Sequence, residues 1–87
     1  MLIKKIVWGA VCDPDSNCSY THVRGESPLG DWLITWKGWK DSPDYDIEES
    51  PFGYIGGYAS SLVDAKNVAQ STLEEKIESC ILTGGGL

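Results

Sequence analysis

The chain has 87 residues, 41% of them hydrophobic, which suits one domain with a modest core. Seven Lys and Arg stand against 13 Asp and Glu, so the net charge is −6. This balance argues against direct nucleic-acid binding, because contacts to a phosphate backbone need cations, and it suits a protein partner with a basic surface. No stretch is long and apolar enough to predict a membrane span.

The first part of the chain is typical of β-strands. Residues 2–11 are rich in Ile, Val and Trp and end at a cluster of turn-forming residues, 13–17. This pattern predicts a strand followed by a turn. Residues 20–24 then return to strand-like sequence.

One five-residue pattern occurs twice, as Glu26-Ser27-Pro28-Leu29-Gly30 and Glu49-Ser50-Pro51-Phe52-Gly53. In each copy the proline presets φ at the second turn position and the glycine closes the turn, so each predicts the tip of a β-hairpin. The strands that these tips would join are residues 20–24 with 31–37, and residues 45–48 with 54–58.

The segment around Trp32 has the clearest alternation of the chain. Trp32, Ile34 and Trp36 fall on one face of a strand, and we expect that face to lie beneath a helix. One helix does not cover five strands, so further aromatic residues would fill the far face or an interface. This surplus predicts a protein partner or a homodimer; it comprises Trp8, Tyr20, Trp39, Tyr45, Tyr54 and Tyr58.

Residues 61–81 form the only long segment with helical periodicity. Ser61 is placed to cap the helix, with Asp64 three residues later. An apolar stripe recurs at intervals of three and four, at Leu62, Ala65, Ala69, Leu73, Ile77 and Cys80. We expect the glycine-rich residues 82–87 to fray. Together the elements predict a single α+β domain, an antiparallel β-meander of four to five strands with one C-terminal α-helix packed on one face.

Two segments resemble metal-binding motifs, but neither has the complete set of ligands in the expected spacing. A zinc site would need Cys12, Cys18, His22 and Cys80, but the first cysteine gap is loose and Cys80 belongs to the helix stripe. Residues 13–17 open like a calcium loop, but its sixth position is Cys18 and its twelfth Arg24, where Gly and Glu are expected. We therefore predict no metal, cofactor or catalytic residues, and a non-enzymatic protein with reduced thiols in the cytoplasm.

An acidic run, interleaved with Tyr45 and Ile47, consists of Asp41, Asp44, Asp46, Glu48 and Glu49. One interpretation is a solvated linker and edge strand whose charges discourage aggregation. The other is a mimic of nucleic-acid charge that docks on a basic groove of a partner, with Tyr45 as an apolar anchor. Trp39 and Tyr54 flank the run and complete the predicted partner-binding segment.

Two alternatives to protein binding stay open. Trp39 and Lys40 pair an indole with a cation and could stack and hold a nucleotide, which would make the protein a small-ligand sequestering protein. A structural, homo-oligomeric subunit is the other alternative.

The segments Ser27-Pro28-Leu29-Gly30, Ile34-Thr35-Trp36-Lys37-Gly38-Trp39-Lys40 and Ser61-Leu62-Val63-Asp64-Ala65-Lys66-Asn67-Val68-Ala69-Gln70 resemble a loose set of small phage and prophage accessory proteins of mostly unassigned function. Thr72 and Leu73 depart from that set, which often has an acidic and then an aromatic residue there. The resemblance implies a phage or prophage accessory protein, of a size class in which anti-CRISPR-like inhibitors of host defence are frequent. It supplies no catalytic residues.

Overall fold

The computed structural model describes residues 4–16 and 18–79, with only the backbone at position 58. Five strands precede one helix, in the order β1 (Val7–Trp8), β2 (Thr21–Ser27), β3 (Gly30–Trp36), β4 (Tyr45–Glu49), β5 (Gly56–Ala59) and α1 (Leu62–Ser79). The strands form one antiparallel sheet in the order β1-β2-β3-β4-β5. The predicted α+β class and the meander are therefore confirmed.

The core lies between α1 and one face of the sheet. Trp32, Ile34 and Trp36 of β3 are all in this core, as the alternation predicts. The helix contributes Ala65, Ala69 and Leu73, each 0% exposed, with Leu62 and Ile77 packed at the margins. Small side chains at the centre of the helix stripe leave room for the two indoles of the sheet.

The two copies of the repeated pattern form the same turn. Ser27 Oγ donates to the Gly30 carbonyl at 2.8 Å, and Ser50 Oγ donates to the Gly53 carbonyl at 2.7 Å. Both closing glycines have positive φ, 142° and 93°, which L side chains rarely adopt. The copies differ in what the serine oxygen accepts.

Ser27 Oγ accepts a hydrogen bond from Trp32 Nε1 at 3.1 Å, whereas Ser50 Oγ accepts one, exposed to solvent, from the Phe52 amide at 3.0 Å. The substitution Ser27→Ala would leave the N–H of a fully buried indole without its acceptor. We expect it to lower the free energy of unfolding by about 2 kcal/mol. Urea denaturation followed by circular dichroism measures this change.

The matched control is Ser50→Ala, which removes the equivalent hydroxyl from a solvated turn. We expect it to lower the free energy of unfolding by only about 0.5 kcal/mol. Equal effects of the two substitutions would show that the Ser27–Trp32 contact contributes nothing to stability.

The helix begins where the capping residues predict. Ser61 Oγ accepts a hydrogen bond from the Asp64 amide at 3.1 Å, and the Ser61 carbonyl accepts one from the Ala65 amide at 3.0 Å. The Asp64 carboxylate in turn accepts from the Ser60 hydroxyl at 3.5 Å. The described helix ends at Ser79. The predictions for Cys80, the last helical turn and residues 82–87 lie outside the described residues.

The first strand is shorter than the sequence pattern predicts. Val7–Trp8 pairs with β2, and pairing resumes at a single bridge between Cys12 and His22. Between these points the three residues 9–11 face only two residues of β2, so one extra residue bulges out. A bulge disrupts the ladder locally, which explains why β1 does not continue.

The helix covers more of the sheet than the sequence predicts. Gln70 Oε1 accepts a hydrogen bond from the Ile6 amide at 2.9 Å, and Lys66 Nζ lies 5.8 Å from the centre of the Trp8 ring. Trp8 itself packs over Gly25, where a Cβ would approach its ring to 2.6 Å. Trp8 thus packs against the helix-side core, so it does not belong to the surplus of aromatic residues that was expected to contact a partner.

Candidate functional site

A bulge in β4 places Glu48 and Glu49 on the same face of the sheet. Leu33 pairs with Glu49, but the next residue, Ile34, pairs with Ile47, so Glu48 is the extra residue. Ile47 is buried in the helix-side core. Glu49 instead faces Arg24, with 3.9 Å between the ion-pair atoms, and the Glu48 carboxylate accepts from Thr35 Oγ1 at 3.5 Å. Both neighbouring glutamates therefore lie on the sheet face opposite the helix.

Asp46 lies on this same face, because it pairs with Thr35, whose side chain alternates away from the core residues Ile34 and Trp36. Thr35 is only 3% exposed and forms the floor of the surface. Asp44 precedes β4 and lines the same groove as Asp46. Alternation thus places Asp46 and Glu48 on the helix-free face, and the bulge adds Glu49 to them.

Three of these carboxylates border a groove of about 350 Å³ that we name the acidic groove. It runs across the end of the sheet where β3 leads into β4. Its lining residues are Tyr20, Thr35, Trp36, Lys37, Lys40, Ser42, Asp44, Asp46, Glu48 and Gly57. The lining combines three carboxylates, two ammonium groups and two aromatic residues, so it suits a polar or cationic group of a partner.

Trp39 and Lys40, the residues of the predicted ligand site, lie at the rim of this groove. The Trp39 ring stacks on Tyr20 with centroids 6.1 Å apart and planes inclined by 17°, and it remains 64% exposed. Lys40 lines the groove itself. The carboxylates that line the same groove would repel a phosphate, which counts against a nucleotide as its occupant.

The other predicted partner-binding residues are not brought together. Tyr45 packs on the helix side against Trp36, with ring centroids 4.9 Å apart, so it does not serve as an anchor on the acidic face. Tyr54 is 67% exposed beside the Ser50–Gly53 turn, at the end of the sheet opposite Trp39. Asp41 is exposed in the link between β3 and β4.

The thiols within the described residues are not arranged as a metal centre. Cys12 and Cys18 are free, and the Cys12–His22 relation is a backbone pairing. His22 is 4% exposed, and its Nδ1 lies 2.9 Å from the Tyr20 carbonyl oxygen. Across residues 4–16 and 18–79, no cluster of three or more His, Cys, Asp or Glu side chains is close enough to hold a metal ion. In that same part of the chain no helix has both the length and the apolar character of a membrane span.

No family model, curated protein sequence or solved structure matches this chain. The fold and the acidic groove are therefore the basis on which a function is proposed.

The acidic groove also contains Tyr20, Thr35 and Lys37, which the sequence did not indicate as site residues. The period-two pattern of β3 places Thr35 and Lys37 on the face opposite Trp36, but it does not assign them to a site. Tyr20 joins them only through the antiparallel pairing of β2 and β3. The sequence offers no signal for that contact beyond the predicted hairpin.

Proposed function

We propose that the protein is a non-enzymatic binding protein whose acidic groove docks on the basic surface of a partner protein. The observation that carries the proposal is the acidic groove itself, which Asp44, Asp46 and Glu48 line on the sheet face that α1 leaves uncovered, with Glu49 on the same face beside it. The resemblance to phage and prophage accessory proteins suggests a host protein as the partner, in the host cytoplasm, with inhibition of a defence or nucleic-acid-handling factor as the outcome.

The electrostatics favour association with a cationic surface. Asp44 and Glu48 are exposed, so they retain hydration in the free protein and attract a basic partner over about one Debye length. Opposed charges of this kind raise the association rate and exclude partners of like charge. The exposed, stacked Trp39 at the rim offers the apolar contact area that a charged surface alone lacks.

Charge reversal of the groove tests the proposal. In the double variant Asp44→Lys with Glu48→Lys, we expect capture of the partner from host lysate to weaken about 100-fold, because attraction becomes repulsion. The measurement is titration of the captured partner, identified by mass spectrometry, against the tagged wild type and variants. Binding of the wild type should also weaken as salt rises.

The matched control is Glu75→Lys with Glu78→Lys, which makes the same change in net charge at exposed positions of α1. We expect this control to bind like the wild type. Equal binding by both double variants would contradict the proposal. A purified protein that forms a defined homo-oligomer without any partner would instead favour the assembly subunit.

A further inference from the structure

Strand β5 is an open edge of the sheet. It pairs with β4 on one side and is last in the strand order, and its sequence Gly-Gly-Tyr-Ala has neither a charged residue nor a proline. Such residues are what usually protect an edge against pairing with another chain. Strand β5 has four residues, and its pairing with β4 shifts register between Tyr45 and Ile47. The opposite edge, β1, has only two residues and ends at a bulge. β5 is therefore the edge of this sheet that is better suited to take another strand.

An apolar groove lies between β5 and the outer side of α1. It has a volume of about 360 Å³, and its lining includes Ile55, Ala59 and Val68, together with Asp64. A smaller cavity of about 30 Å³ shares residues with it and reaches Ile47 and Ala65 in the core. We name this feature the β5–α1 groove. This volume has room for more than one aliphatic side chain that projects from a strand paired with β5.

The β5–α1 groove and the acidic groove meet at β5. Gly57 lines both of them, and the Asp46 carboxylate lies where a Cβ of Gly57 would be. A strand added along this edge would therefore have an apolar groove on one side and the acidic groove on the other. Successive side chains of a strand point to opposite faces, so alternate residues of the added strand would enter the two grooves.

We infer that β5 accepts an extended segment of the partner as a sixth strand, with apolar side chains in the β5–α1 groove and Lys or Arg side chains toward the acidic groove. This inference rests on the proposed function and specifies the chemistry of the partner. Backbone hydrogen bonds to an exposed edge supply affinity in such strand addition, and the alternate side-chain sites supply specificity.

The negative charge of this protein favours a basic segment, rather than a second copy of the chain, as the strand that pairs with β5. Each chain carries a net charge of −6. Pairing of two β5 edges would bring two acidic grooves close together, which is unfavourable. A segment with alternating apolar and basic residues would place its apolar side chains in the β5–α1 groove and its basic side chains beside the carboxylates of the acidic groove.

Two capped hexapeptides of identical composition test the inference. One alternates Val and Lys, and the other has three Val followed by three Lys, so only the first can direct its residue types to separate faces. We expect the alternating peptide to bind at least about tenfold more tightly in calorimetric titration, a difference of about 1.4 kcal/mol. It should also slow hydrogen exchange at Gly56–Ala59. Equal affinities, or no binding by the alternating peptide, would overturn the inference.

A pair of helix variants localises the binding. Val68 lines the β5–α1 groove and is 45% exposed, whereas Val63 lies on the same helix, is 68% exposed and does not line that groove. We expect Val68→Asp to weaken the alternating peptide at least about tenfold and Val63→Asp to leave it unchanged, with both variants folded by circular dichroism. Equal affinities of the two variants would overturn the inference. So would a wild-type dimer in sedimentation that Val68→Asp abolishes, because β5 would then pair with a second copy.

The same variants separate this inference from the proposed function. If the groove charge reversal loses the partner and Val68→Asp retains it, docking on the acidic groove stands and strand addition fails. If the charge-reversal variant still binds the partner, the proposed function fails, and the inference that rests on it fails too.

Discussion

The substitution Trp32→Ala is expected to lower the free energy of unfolding by about 4 kcal/mol. Trp32 is 0% exposed, packs in the core beneath α1, and meets the Phe52 ring edge-on at 6.0 Å. Its removal loses the burial of a whole indole and leaves a cavity that a small core cannot close. A chain of 87 residues has little stability in reserve, so a large unfolded fraction at room temperature is expected. Urea denaturation followed by far-ultraviolet circular dichroism measures the change.

Trp39→Ala is the matched control, because it removes the same side chain from a site that is 64% exposed. Only the stacking on Tyr20 is lost there, so the expected decrease is about 0.5 kcal/mol. Similar decreases for the two tryptophans would mean that Trp32 is not the centre of the core.

The substitution Gly57→Ala is expected to lower the free energy of unfolding by about 3 kcal/mol and to detach β5 from β4. A Cβ at this position would collide with the Tyr45 carbonyl oxygen and with the backbone and carboxylate of Asp46. Backbone atoms paired in a sheet cannot move aside as the end of a flexible side chain can. Increased hydrogen exchange at Gly56–Ala59, together with a lower urea midpoint, would report the detachment.

Gly53→Ala separates collision from backbone conformation. A Cβ at Gly53 meets nothing within 4 Å, but the residue has a φ of 93°. We expect a decrease of about 1 kcal/mol from the unfavourable φ alone, with exchange at β5 unchanged. If Gly53→Ala were as damaging as Gly57→Ala, the close approach of β5 to β4 would not be the reason that position 57 is glycine.

Local signals were sufficient to predict much of the fold. The alternation of β3 placed Trp32, Ile34 and Trp36 in the core, and the repeated Ser-Pro-x-Gly pattern located both hairpin turns. Ser61 located the start of α1 through its side-chain hydrogen bond. Each of these signals depends on residues near one another in sequence, whose geometry is determined by backbone preferences and capping chemistry.

The bulges could not be predicted, because a bulge is a relation between two strands. Simple alternation along β4 puts Glu48 and Glu49 on opposite faces, whereas the observed pairing with β3 puts both on the helix-free face. Tyr45 was expected on the acidic surface because it lies within the acidic run, but its ring packs against Trp36 on the helix side. The acidic run was recognisable from sequence, but the face on which Glu49 lies depended on the pairing of β4 with β3.

Hydrogen exchange of the protein, alone and bound to its captured partner, tests docking through the acidic groove most directly. Bound partner should slow exchange at residues 44–49 of β4 and at Gly56–Ala59, and leave the outer helix peptides at residues 71–79 unchanged. Slower exchange confined to those helix residues or to the Ser50–Gly53 turn, with residues 44–49 unaffected, would contradict it.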